Sequence, residues 1–298
     1  EGQPTMDALR MSAGTLDLDL PAHMRGDAEL GTVLVARIPA VVAAYWRLRQ
    51  GLEPIAPDAS LNHAANYLQM LTGTQPSEAA ARGLETYLNT VADHGLNAST
   101  FAARVIIATG SDMVSAVTGA IGALKGPLHG GAPGPALDMV FAIGTAECAE
   151  PYLRAKLEQG ERLMGFGHRI YKVRDPRAEV LGAAAHKFYE DEERADALYE
   201  LATSVEATAV RLLGEYKPGR NLQTNVEFYT ALLLHGLGLP VELFTPTFAL
   251  GRVAGWVGHA REQIATGRLI RPASEYIGVT GRRWIGVEER SQENAEVA

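Results

Sequence analysis

Apolar positions recur with helical spacing along most of this chain. Leu84, Tyr87, Leu88 and Val91 fall at i, i+3, i+4 and i+7, and Val253, Trp256 and Val257 repeat part of that stripe. Runs that alternate apolar and polar residues, as a half-buried strand needs, are rare and short. The pattern predicts helices near 28–49, 59–72, 76–93, 98–109, 112–124, 135–145, 149–159, 176–190, 192–214, 225–237 and 246–265. Local signals mark several of their ends. Pro76-Ser77-Glu78 opens one helix and Gly95 follows another, while Asp175-Pro176 supplies a cap and a proline at the first helical position. Lys217-Pro218-Gly219-Arg220 reads as a loop, and Gly236, Gly238 and Pro240 end another helix. The expected fold class is all-α, with glycine-rich connectors at 126–134 and 165–167 placed where site loops form.

Composition narrows the function classes. At roughly 150 residues per domain, 298 residues suggest two domains. Hydrophobic residues at 47% and charged residues at 21% exclude a disordered or low-complexity chain. A net charge of −8 lacks the basic excess of a nucleic-acid binder, so no nucleic-acid partner is expected. The single cysteine, Cys148, cannot form an internal disulfide and suits a reducing compartment. The most apolar run, Val33 to Trp46, is interrupted by Arg37 and Pro39, so no membrane span is expected. Glu1-Gly2-Gln3-Pro4 shows no signal-peptide pattern.

Three histidines stand beside glycine: His94 before Gly95, His129 before Gly130 and His168 after Gly167. Imidazole suits proton donation and carbonyl polarisation near neutral pH, and adjacent glycine lets a ligand approach the backbone. Each could equally cap or pack. His23, His63, His186, His235 and His259 keep that plainer reading. No histidine pair has zinc-ligand spacing, so no metal site is expected. Gly165-Phe166-Gly167, followed by Arg169, Lys172 and Arg174, offers amides and cations to a phosphate, or is a solvated basic turn. Arg177, Arg252 and Arg271 beside apolar or helix-start positions point to carboxylate recognition or to internal salt bridges. Glu227 opens an almost wholly apolar helix, as a dipole-facing carboxylate or as a general base.

Together these segments resemble the citrate synthase family. The likeness runs through Ser60-Leu61-Asn62-His63-Ala64-Ala65-Asn66, the His94 segment, Gly126-Pro127-Leu128-His129-Gly130-Gly131-Ala132, Gly165-Phe166-Gly167-His168-Arg169, Arg174-Asp175-Pro176-Arg177, Phe244-Thr245-Pro246 and Arg271-Pro272. It spans about residues 5 to 290, and the two histidine motifs followed by Asp-Pro-Arg make it specific. The resemblance implies an all-α, two-domain fold. Its large domain would comprise 1–131 and 239–298, and its mobile, CoA-side small domain 132–238. It also implies a homodimer or a dimer of dimers. Family members usually extend further at the N-terminus, so this chain is expected to lack that part.

The implied reaction belongs to the tricarboxylic acid cycle: acetyl-CoA condenses with oxaloacetate and the thioester is hydrolysed. By resemblance, Glu227 is the base and His129 stabilises the enol or enolate. His168 polarises the oxaloacetate carbonyl. His94, Arg177 and Arg252 hold oxaloacetate, and Arg271 does so from the partner subunit. Gly165, Phe166, Gly167 and Lys172 lie along CoA. No permanently bound cofactor or metal is implied; the coenzyme A thioester is a co-substrate. Glu227 departs from the aspartate most of the family carries, and its carboxyl reaches farther by one C–C bond, about 1.5 Å. Two other readings fit the same residues: a 2-methylcitrate synthase using propionyl-CoA, and a weakly active or inactive paralogue that binds these ligands. The expected location is cytoplasmic, with the mitochondrial matrix as the alternative.

Overall fold

Short polar side chains open many of the helices. Asn62, Ser77, Asn97, Asp112 and Asn225 each accept a hydrogen bond from a first-turn amide, a contact that contributes about 1 kcal/mol where it replaces alanine. The computed structural model describes residues 4–130, 133–167, 174–191, 197–284, 286 and 287. The α-helices are α1 (Thr5–Ala13), α2 (Asp27–Arg49), α3 (His63–Thr72), α4 (Glu78–Val91), α5 (Ala98–Ile107), α6 (Met113–Leu124), α7 (Pro133–Ile143), α8 (Ala146–Glu158), α9 (Pro176–Asp191), α10 (Ala197–Tyr216), α11 (Val226–Gly236) and α12 (Phe244–Thr266). Among the described residues the only β feature is an isolated antiparallel bridge between Phe166 and Thr224. The fold is all-α, as expected.

The helical pattern predicts eleven of these elements and misses α1. That helix has nine residues and buries only Thr5, Met6, Leu9 and Ala13, too short a stripe for a periodicity window to detect. The helices pack in two groups. In one, α12 lies against α2, α4, α5 and α6, and α1 against α2 and α6. In the other, α8 packs on α10, and α11 on α7 and α9. Helix α4 joins the groups by touching α9 and α11.

Length and a mean hydropathy of 1.4 would let α2 cross a membrane. Its Leu34, Ile38 and Val42 are instead fully covered by the protein core, and its Arg37 is ion-paired to Asp19 at 2.5 Å. It is built as a core helix that must tolerate a charge on one side.

Candidate active site

His129 follows α6 in a tight turn, where its amide donates to the Gly126 carbonyl at 2.9 Å. Its Nε2 lies 3.3 Å from the Ser99 backbone nitrogen and 2.8 Å from Ser99 Oγ. A backbone N–H can only donate, so Nε2 is the acceptor and the imidazole proton sits on Nδ1. Ser99 is fully buried near the start of α5, and its Oγ takes a hydrogen bond from Trp256 Nε1 at 3.0 Å. Burial pushes the His129 pKa down, and the Arg252 charge pushes the same way. The side chain is therefore a neutral imidazole presenting an Nδ1–H donor.

Glu227 lies in the first turn of α11, its amide held by the Asn225 cap at 3.0 Å. Desolvation raises its pKa to about 7, Asp175 adds to the rise, and Arg177 and Arg252 oppose it. A carboxyl poised near neutrality is suited to general base work. Arg177 forms a forked ion pair with the buried Asp175 carboxylate, Nη2 to Oδ2 at 2.8 Å and Nε to Oδ1 at 3.1 Å. The salt-bridge reading of Arg177 thus holds toward Asp175. Arg252 differs. It is 2% exposed on α12, donates Nε to the Val91 carbonyl at 2.6 Å and lies 4.6 Å over the Phe248 ring. Among the described residues it has no carboxylate within ion-pair distance. Burial lowers its pKa to about 10, with the Arg177 charge adding to the fall. A buried guanidinium that lacks a carboxylate suits an anionic ligand.

The turn carrying His94 leaves α4 directly beneath α12. A Cβ on Gly255 would lie 2.1 Å from the Ala92 carbonyl oxygen, so only glycine permits this approach. Asp93 takes the amides of His94 and Gly95, and its Oδ1 lies 2.9 Å from His259 Nε2. His259 Nδ1 accepts from Arg104 at 3.0 Å, and Arg104 also binds Glu262 and Gln263. The plainer, structural reading of His259 fits this network.

Gly165 and Gly167 both have positive φ, 87° and 82°. Asn225 stitches this turn to α11, its amide to the Gly165 carbonyl and its Nδ2 to the Gly167 carbonyl, both at 2.9 Å. The Gly167 amide donates to the Gln223 carbonyl at 2.7 Å and so is already engaged. Phe166 packs on Phe228 with ring centroids 5.4 Å apart. His168 and Lys172 lie outside the described residues. Arg271 is exposed, in an irregular segment after α12, and is not brought to the cluster by the hydrogen bonds or ion pairs of the described residues.

The structure thus groups His129, Glu227, Arg177 and Arg252, with His94 on the adjoining turn. Sequence reasoning missed Ser99, Trp256, Asp93, Asp175 as a partner, and Tyr87 as more than a core residue. Asp175 next to Pro176-Arg177 was the available signal. Nothing local links Ser99 to a histidine thirty residues on. A groove of about 890 Å³ between α4 and α9, lined by Glu78, Arg82, Lys187, Phe188 and Asp191, contains none of the grouped side chains.

Helical architecture, a carboxyl near neutrality, a neutral imidazole donor and a buried unpaired guanidinium together define an α-helical site for anionic substrates and proton transfer. Comparison with known proteins specifies it further. A family model described as "Citrate synthase, C-terminal domain" matches residues 2–273. The chain is 44% identical over 258 residues to "Citrate synthase 2" of Bacillus subtilis, covering 87% of this chain and 67% of that protein. It is 40% identical over 296 residues to "Citrate synthase" of Synechocystis, covering 97% and 72%. The crystal structure of citrate synthase from Pyrobaculum aerophilum superposes with a TM-score of 0.84 at 36% identity, over 96% of this chain and 74% of that one. A Thermoplasma acidophilum citrate synthase, solved as a ternary complex with carboxymethyl coenzyme A and oxaloacetate, gives 0.82 at 30% identity, over 96% and 75%. The chain belongs to the citrate synthase family.

Proposed function

We propose that the protein condenses acetyl-CoA with oxaloacetate, yielding citrate and free CoA, as an acyltransferase of the citrate synthase type. The observation that carries this is Glu227, raised to about pKa 7 by desolvation against the charges of Arg177 and Arg252, with a neutral His129 that feels the same Arg252 charge. Glu227 takes a proton from the thioester methyl. The C–H electron pair moves into the enolate, whose oxygen receives the His129 Nδ1–H hydrogen bond, stabilisation placed where charge develops. The nucleophilic carbon attacks the oxaloacetate carbonyl, which His168 polarises, while His94, Arg177 and Arg252 hold the carboxylates. The resulting citryl thioester is then hydrolysed, releasing CoA. Gly165, Phe166, Gly167 and Lys172 line the CoA path. The two helix groups support a division into a large domain, 1–131 with 239–298, and a small domain, 132–238, that closes over the substrates.

The protein acts as a homodimer in this reading, with Arg271 reaching the partner's site. The support is an irregular segment after α12 that exposes Leu269, Tyr276, Ile277 and Trp284 beside Arg271. A cytoplasmic location fits the single exposed thiol, Cys148. Release of CoA, followed with a thiol reagent, should require oxaloacetate and run with acetyl-CoA. Folded protein that binds oxaloacetate yet releases no CoA would refute the reading. Size measurement in solution tests the dimer, and fractionation of source cells tests the location.

A further inference from the structure

Tyr87 is fully buried, yet its hydroxyl has no hydrogen-bond partner among the described residues. Leaving such a group unsatisfied costs about 1–3 kcal/mol, so a fold has reason to avoid it. Its neighbours along α4 show which helices surround it. One turn earlier, Gly83 faces Leu233 of α11; one turn later, the Val91 carbonyl receives Arg252 of α12. The α4 turns on either side of Tyr87 thus meet α11 and α12, the helices that carry the base and the buried guanidinium.

The charged and polar groups acting on it are Glu227 from α11, Arg252 from α12, Arg177 from α9 and Tyr67 from α3. Guanidinium groups only donate. The Tyr67 hydroxyl is engaged with Thr247 Oγ1 at 3.0 Å. The Glu227 carboxylate is the acceptor that remains.

We propose that Tyr87 is a positioning residue for Glu227: in the substrate-bound state its hydroxyl donates to one carboxylate oxygen, leaving the other to take the methyl proton. The extra methylene of glutamate adds a torsion that such a bond would lock. This inference rests on Glu227 being the base. The charges acting on Glu227 are Arg177 and Asp175 at the start of α9 and Arg252 on α12; Tyr87 on α4 in turn feels the Glu227 charge. A hydrogen bond to the ionised form lowers a carboxyl pKa, so its loss raises it.

The test compares Tyr87→Phe, Glu227→Asp, the double variant and Glu227→Gln in the full chain, with CoA release followed across pH. For Tyr87→Phe the expected result is a Tm no lower than that of the parent protein, an unchanged oxaloacetate Kd, and a kcat about tenfold lower. The acid limb of kcat, which reports the substrate-bound state, should move about one unit to higher pH. In the Glu227→Asp background, whose shorter carboxylate withdraws from Tyr87, the same substitution should cost nothing further. An unchanged kcat and acid limb in Tyr87→Phe, with Glu227→Gln inactive, would overturn this inference and leave the base role standing. So would a lowered Tm with weakened oxaloacetate binding, or losses that multiply in the double variant. Full activity in Glu227→Gln would instead remove the base role itself.

Discussion

Behind His129 Nε2 the polar atoms are satisfied, whereas the Tyr87 hydroxyl, under the charge of Glu227, is not. Ser99 faces His129 Nε2, Trp256 faces Ser99, and both supporting residues are buried. By contrast, Glu227 is pushed to about 7, Arg252 is pulled to about 10, and the Tyr87 hydroxyl is unbonded. The first neighbourhood fixes a tautomer before any ligand arrives. The second carries charge and hydrogen-bonding capacity that only an anionic ligand, or a change of protonation, can use. Preorganisation and unfilled demand coexist because they serve different steps: one orients a donor, the other takes a proton and holds carboxylates.

The largest test of the contrast lies on the unsatisfied side. Glu227→Gln should lower turnover about 10²–10⁴-fold while oxaloacetate binding persists, read by CoA release and by calorimetry. Retained turnover would break the comparison. Next, Arg252→Met should weaken oxaloacetate binding about 100-fold with little loss of Tm, since a buried cation without a carboxylate contributes little to folding. A collapse of Tm would show that the guanidinium is structural.

The satisfied side should respond differently. Ser99→Ala leaves the Trp256 N–H buried without its acceptor and should cost about 1–3 kcal/mol in denaturant unfolding, with a fall in kcat rather than a rise in KM. The smallest effect concerns pH. A carboxyl whose folded pKa lies above its unfolded value of 4.5 binds more protons folded, so its contribution to stability falls as pH rises from about 4.5 to 7. Glu227→Gln should therefore gain Tm relative to wild type at pH 8 and show no such gain at pH 4. Equal differences at both pH values would mean that Glu227 is not desolvated.

Much of the molecule was legible in its pattern. The period of Leu84, Tyr87, Leu88 and Val91 belongs to α4, Asp175-Pro176 opens α9, and Glu227 stands in the first turn of α11. Helix periodicity and caps are local, so nearby residues report them directly. Helix α1 escaped because nine residues carry too few repeats. Arg177 and Arg252 looked equivalent in sequence, each a cation near apolar positions. Folding separated them, giving one the Asp175 carboxylate and the other a backbone carbonyl and a phenyl face.

Periodicity and composition fixed the all-α class, the places of eleven of the twelve α-helices to within a few residues, and the residue types able to hold carboxylates and move protons. Only the tertiary structure decided which of them meet and in what state. The His129 tautomer depends on an amide thirty residues away, the pKa of Glu227 on charges from α9 and α12, and the isolation of the Tyr87 hydroxyl on the helices that bury it. Periodicity follows from bonds between neighbours in the chain. Protonation and hydrogen bonding follow from distances and desolvation across it, which exist only once the helices pack.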